Sequence, residues 1–217
     1  NSKGENTSAP FGFANFLMEI RDKYQPDYLA VVFDAGNSHR EKVYPEYKAT
    51  REKMPDELRA SLPRVRELVA GFNDALVELD GYEADDVIGT LTGQAVAAGM
   101  EVVVVTGDKD FFQLVSDQVR VFNPRDEGLW YDDAGVLKKF GVRPDQVVDV
   151  LALMGDASDN VKGVPGIGEK GARALLSEFG SLDWLLEHAN ELPKKKHRTA
   201  LTEHADAARS SLELVRI

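Results

Sequence analysis

Apolar positions recur at helical spacing over residues 11–24, with Phe13, Phe16, Leu17 and Ile20 on one face, and Pro26 closes the segment. Residues 28–33 then run apolar without alternation and stop at Asp34. A short unbroken run of that kind predicts a strand covered on both faces, as in a parallel sheet. Residues 35–55 are polar, carry both signs of charge and hold Pro45 and Pro55, so they read as a long excursion from the core. Helical spacing returns over 56–72, where Pro63 predicts a kink or break. A short strand is expected over 75–79, then a helix over 83–98 stopped by Gly99. The β-branched run 101–106 is the clearest strand, and 119–122 predicts another.

Strand and helix alternate to about residue 125. That order predicts an α/β fold, a mostly parallel central sheet with helices on both faces. From residue 132 onward the pattern changes to helical segments joined by glycine-rich turns, with no convincing strand. Placing the change at Gly141 gives an α/β part over 1–141 and a smaller all-helical part over 142–217.

Composition narrows the chemistry. The 217 residues contain no cysteine, which excludes disulfides, cysteine-ligated zinc, iron–sulfur clusters and thiol nucleophiles. No apolar run approaches the roughly 18 residues of a membrane span. Residues 1–8 lack the apolar stretch of a signal peptide, and a cytoplasmic location without membrane association is expected. The formal net charge of −11 argues at first against a nucleic-acid partner. The acidic residues are grouped, however, and where they sit matters more than their sum.

Asp34 follows the first expected strand. Glu83, Asp85 and Asp86 follow the second, Asp108 and Asp110 the third, and Asp156 and Asp159 lie in Gly-Asp-Ala-Ser-Asp-Asn after the helix that opens the second part. In open parallel sheets, ligands gather beyond the carboxyl ends of the strands. An acid at a helix start can simply cap orphan N–H groups. Capping accounts less well for close pairs, which repel unless a cation lies between them. Oxygen-only donors without paired His or Cys select magnesium or manganese. Eight carboxylates exceed the needs of one magnesium and imply two metals, the arrangement suited to phosphoryl chemistry. His39, His188, His197 and His204 lack metal-ligand spacing and are expected at the surface.

Gly166-Ile167-Gly168-Glu169-Lys170-Gly171 matches GxGxxG, but a turn rather than a strand precedes it, so a dinucleotide site is rejected. A tight glycine turn over 163–171 between two helices fits better. Gly166 and Gly168 let backbone N–H groups approach a phosphate, and Lys162, Lys170 and Arg173 flank them. The plain alternative is a helical corner. Residues 40–66 carry eight Lys or Arg against five Asp or Glu, with Tyr44 and Tyr47 interleaved. That mix suits a single strand or frayed end, although a solvated charged loop has the same composition. The basic run 194–198 is read as an exposed helix start.

Taken together and in order, these segments resemble the 5′ nucleases of the flap endonuclease superfamily, most closely the 5′–3′ exonuclease domain of bacterial DNA polymerase I and its stand-alone relatives. The motifs that carry the resemblance are Val31-Val32-Phe33-Asp34-Ala35, Tyr47-Lys48-Ala49-Thr50-Arg51, Gly81-Tyr82-Glu83-Ala84-Asp85-Asp86, Thr106-Gly107-Asp108-Lys109-Asp110 and the stretch 155–172. The resemblance implies a metal-dependent nuclease cutting DNA 5′ ends, flaps and branched junctions in replication and repair, acting as a monomer. It implies that Asp34, Glu83, Asp85, Asp86, Asp108, Asp110, Asp156 and Asp159 hold two Mg2+, or Mn2+. Lys48 would position the scissile phosphate and, with Asp34 and Asp108, form the catalytic set. Arg40 and Arg51 would belong to an arch over about 35–66, and Tyr82 would lie near the terminal base. The glycine turn would be a helix–three-turn–helix element gripping duplex and holding K+. The family also has an earlier strand ending in a metal-binding aspartate, which lies before the first residue here, and a polymerase domain can follow. Two other readings stay open: a non-catalytic, structure-selective DNA-binding module lacking one ligand, and a small phosphate-ester hydrolase.

Overall fold

The structure is a computed structural model that describes residues 7–36, 38–126 and 128–217. The chain forms two compact units, one of residues 1–38 and 52–87, the other of residues 39–51 and 88–217.

In the first unit, helix α1 (Ser8–Tyr24) ends where Gln25 turns left-handed and donates to Arg21 O, with Arg21 and Lys23 favourably placed in the last turn. Strand β1 (Ala30–Val32) pairs in parallel with β2 (Ala75–Val77), Ala30 opposite Ala75. Helix α3 (Asp56–Gly71) runs between them in sequence, and α2 (His39–Val43) lies earlier, in the other unit. Pro63 sits inside α3 without ending it, so the expected break is absent. Leu17, Val65 and Val69 are buried where α1 packs on α3, and an Arg21–Asp74 ion pair adds to that contact. β1 departs from the expectation of cover on both faces: Ala30 is exposed and Val31 and Val32 are half-buried. A two-stranded sheet offers too little surface to enclose it. Helix α4 (Ala84–Ala97) begins in this unit and continues into the other.

The second unit has its own three-stranded sheet. β3 (Val102–Val105) pairs in parallel with β4 (Val119–Asn123), and β4 pairs antiparallel with β5 (Leu129–Tyr131). The parallel pairing thus falls in two small sheets, one per unit. Helices α5 (Asp133–Phe140), α6 (Val147–Met154), α7 (Glu169–Phe179), α8 (Leu182–Glu187), α9 (Lys195–Glu203) and α10 (Ala205–Val215) follow. α6 is the hub: Val147, Val150, Leu151, Ala152 and Leu153 are fully enclosed, and α7 and α10 pack on it. Phe111, Phe112, Tyr131 and Phe140 join the same core. The four histidines are half-buried rather than exposed, and His188 stacks on Trp184 at 4.3 Å. No described helix is long and apolar enough to cross a membrane.

Candidate active site

The first acidic group surrounds the N-terminus of α4. Asp34, just past β1, accepts the N–H of Ala84 at 2.7 Å, and Asp86 accepts the N–H of Glu83 at 3.1 Å. Both bonds satisfy donors that a helix start leaves unpaired. Glu83 is buried and Asp85 half-buried, while Tyr82 stands 46% exposed beside them. Capping is therefore part of what these carboxylates do.

The second group lies in the other unit. Past β3, the Thr106 hydroxyl accepts Asp108 N–H at 3.1 Å, and Asp108 accepts Asp110 N–H at 3.0 Å, opening a 3-10 turn over Lys109–Leu114. Asp156 is placed by a backbone pinch. Gly155 (φ +76°) and Gly163 (φ +64°) pass so closely that a Cβ on Gly163 would lie 2.3 Å from Gly155 N. Only glycine fits both the conformation and the space. The pinch closes a loop in which Asp156 and Val161 exchange backbone hydrogen bonds of 2.9 and 2.7 Å. Across this loop the Lys109 ammonium reaches Asp110 Oδ1 at 2.9 Å and Asp156 Oδ2 at 2.8 Å. Thr106, Gly107, Asp108, Lys109 and Arg125 line an open cleft of about 450 Å³.

The electrostatics follow from burial and from this ammonium. Burial pushes the Asp110 carboxyl up to about 6, Asp108 and Asp156 add to the rise, and Lys109 opposes it. Asp156 is also raised by burial, but its bonds to Lys109 and to the backbone N–H groups of Ser158 and Asp159 prevail and hold it below the usual range. For Lys109 burial works downward, and the carboxylates of Asp110 and Asp156 outweigh it, so the group stays firmly protonated.

Asp159 organises the segment 44–51. Its carboxylate accepts the Tyr47 hydroxyl at 3.0 Å, pairs with Arg51 at 2.8 Å and has Lys48 Nζ at 3.7 Å. The Asp159 carbonyl accepts Lys48 N–H at 2.9 Å, and Asn160 Nδ2 donates to Glu46 O at 2.7 Å. Lys48 itself sits in the left-handed region at φ +56°. Arg40 occupies a different setting. It is buried, donating from Nε to Leu214 O at 2.8 Å and from Nη2 to Arg216 O at 2.6 Å. Its guanidinium serves the C-terminal end of α10.

At the glycine turn, Val164 and Ile167 are buried while Gly166, Gly168, Lys162 and Lys170 are exposed. Gly168 caps α7, and nothing lies within 4 Å of where its Cβ would be. Arg173 lies over the Phe140 ring at 4.7 Å and pairs with Glu169. Lys196, in the first turn of α9, brings its Cε to 3.3 Å of the position a Gly166 Cβ would take. The basic run therefore joins the flank of the turn, a contact that spacing along the chain gave no sign of. Lys109 and Arg125 were likewise not singled out as site residues, because sequence shows no partner for either.

As a metal centre, the donors are all oxygen and suit a hard cation. Among the described residues no three Asp, Glu or His side chains converge closely enough to hold an ion as they stand. Asp110 and Asp156 do converge on a single cation, the Lys109 ammonium, which is the charge type that a metal would bring. The oxygen donors fit such an ion by chemistry, and the described side chains as they stand do not converge on one.

Acidic groups past the strands, a glycine turn with a basic flank and a helical second part together describe an α/β part followed by a helical part. Residues 1–141 match the family described as 5′-3′ exonuclease, N-terminal resolvase-like domain, and residues 142–217 match 5′-3′ exonuclease, C-terminal SAM fold. The chain belongs to this 5′–3′ exonuclease family. It is 46% identical over its whole length to DNA polymerase I of Chloroflexus aurantiacus, of which it covers 24%. It is 42% identical to a 5′-3′ exonuclease of Aquifex aeolicus, with 90% of this chain and 69% of the relative aligned. It thus spans about a quarter of the polymerase relative. In fold it is similar to the bacteriophage T5 D15 flap endonuclease in a pseudo-enzyme–product complex with DNA and metal ions. That likeness has a TM-score of 0.79 at 24% identity, over 93% of this chain and 78% of the other.

Proposed function

We propose that this chain is a divalent-metal-dependent nuclease that hydrolyses DNA phosphodiesters at 5′ ends, flaps and branched junctions during replication and repair. The observation that carries this reading is the cluster at Asp159, where a carboxylate holds Lys48 and Arg51 beside it. Cations able to receive a phosphate are thereby set next to an acid able to bind a metal. The family relationship and the fold support it.

In this reading Asp34, Glu83, Asp85 and Asp86 in one unit, and Asp108, Asp110, Asp156 and Asp159 in the other, hold Mg2+ or Mn2+. Bound ions of this kind supply positive charge to the phosphate and the leaving oxygen. Lys48 orients the scissile phosphate and Arg51 the adjoining backbone. Tyr82, exposed beside α4, offers an aromatic face to an end base. Lys162, Lys170 and Lys196 attract duplex phosphates around Gly166 and Gly168, without reading bases. Main-chain oxygens of that turn would take K+. In this reading Arg40 is left outside the DNA contacts, because it is buried and its guanidinium donates to the carbonyls of Leu214 and Arg216. The protein acts as a monomer in the cytoplasm, either alone or ahead of a polymerase domain.

The test uses a labelled 5′-flap DNA with Mg2+, Mn2+ or EDTA. Metal-dependent release of the flap is expected, and no product with either ion rejects the assignment. Asp108→Ala should lose at least about a hundredfold in rate, in line with removal of one charge-stabilising group, while DNA affinity is kept or improved. Equal loss of cutting and binding would make Asp108 structural. A second reading, a DNA-binding module without catalysis, is favoured by the lack of three converging acids among the described residues. Branched-DNA binding in EDTA with no product in metal would select it.

A further inference from the structure

Past the end of β3, the open cleft takes one of its lining residues, Arg125, from the turn that joins β4 to β5. That turn is tied down. Asn123 Oδ1 accepts Arg125 N–H at 2.9 Å, and the Asp126 carboxylate accepts the hydroxyl of the buried Tyr131 and pairs with Lys139 at 2.7 Å. The Arg125 stem then runs beside Gly107, where a Cβ would lie 3.0 Å from Arg125 Cδ and 3.6 Å from Cγ. Gly107 is outside the left-handed region, so its missing side chain provides room for the stem rather than a conformation. The two cations lining the cleft differ. Lys109 is engaged by Asp110 and Asp156, whereas Arg125 is exposed and its guanidinium has no acid or carbonyl partner among the described residues. A surface arginine that is merely solvated needs neither a slot for its stem nor a pinned turn beneath it.

We propose that Arg125 binds a phosphate of the cut DNA strand in this cleft, next to the phosphodiester that is hydrolysed. This rests on the nuclease reading above. Asp108 lines the same cleft and repels an anion from its own side, which leaves the arginine as the group that receives one. The planar guanidinium offers two parallel N–H donors to two phosphate oxygens, which fixes position as well as attracting charge. The contact reads no base and needs no metal ion. Arg125 thereby helps to set the register of the strand past Asp108.

The experiment measures binding of a 5′-flap DNA in EDTA by wild type, by Arg125→Met, which keeps most of the stem and removes the charge, and by Arg125→Lys. The DNA is used as it is and as a series, each member carrying one neutral methylphosphonate in the cut strand. Arg125→Met should weaken binding by roughly three- to tenfold and lower the salt-dependence slope by about one, and Arg125→Lys should restore the slope. In wild type, one methylphosphonate beside the cleavage position should cost a similar factor. In Arg125→Met the same methylphosphonate should cost nothing further, because the pair is already broken. Equal methylphosphonate losses in both proteins, or unchanged affinity of Arg125→Met, overturn the proposal. So does a loss confined to DNA with a 5′-terminal phosphate, since the site would then take the strand end instead. If Arg125→Met fails to fold by circular dichroism, Arg125→Lys decides on the same series: a smaller loss at that one position supports the contact, and an unchanged one overturns it. Wild type that binds and cuts flap DNA while Arg125→Met matches it removes Arg125 alone. Wild type that binds no flap DNA removes the nuclease reading, and this contact with it.

Discussion

Asp110 and Asp156 share one ammonium yet are displaced in opposite directions, and the reason is what else each touches. Asp110 is raised by burial and by Asp108, whereas Asp156 has backbone donors that favour its charged form. A carboxyl raised in the folded state adds stability below its ordinary value near 3.8, and that stability is lost as pH rises through about 6. Asp156 has the reverse sign, and its contribution fades only as pH falls through its lowered value. In EDTA, wild type should therefore gain on Asp110→Asn as pH is lowered from 7 to 4, by up to about 3 kcal/mol. Urea unfolding of both proteins across that range checks it, and a wild type that loses ground over the same interval would mean that Asp110 stays ionised. In the sequence Asp110 drew notice by its place after a strand, and Asp156 by its place after the helix that opens the second part. Lys109 did not, because a lysine between two aspartates in sequence carries no information about where its amine ends.

Elements were legible where pattern was long enough. The helix over 11–24, which the structure starts three residues earlier at Ser8, and the β-branched strand β3 stood out in the sequence, while β5 did not. Leu129, Trp130 and Tyr131 are three residues held by pairing with β4 and by Trp130 against the Phe122 ring at 5.1 Å, a contact invisible to local periodicity. The pinch between Gly155 and Gly163 was also illegible, since glycine-rich sequence announces a turn without saying which backbones meet. Gly163→Ala forces a methyl group to within 2.3 Å of a backbone nitrogen at φ +64°. It should cost at least about 2 kcal/mol of unfolding free energy by chemical denaturation. At the other glycine turn, Lys196→Glu should weaken duplex binding and flatten its salt dependence by about one to two units of slope. A filter-binding series in increasing salt reads this, and an unchanged slope would place Lys196 outside the contact.

For the whole chain, the alternation of strand and helix correctly indicated an α/β protein with a helical second part. What alternation does not encode is sheet membership, and the strands divide into a pair and a triplet. Net charge is blind in the same way, because it averages an acidic group with the basic flank of a turn. Arg40 shows how local context decides a role. Among the basic residues of 40–66 it looked like any other, but it is buried against the end of α10. Arg40→Met should destabilise the protein by about 1.5–3 kcal/mol through the loss of charged hydrogen bonds to carbonyls, measured by thermal unfolding, with little effect on DNA affinity. The glycine pair has a consequence that reaches beyond stability. Because the two backbones touch, the stretch that they enclose has a set number of links, as a clasp has. Over generations an exposed position such as Ala157 can change, but insertions and deletions there would be purged, so descent in this stretch should proceed by replacement alone.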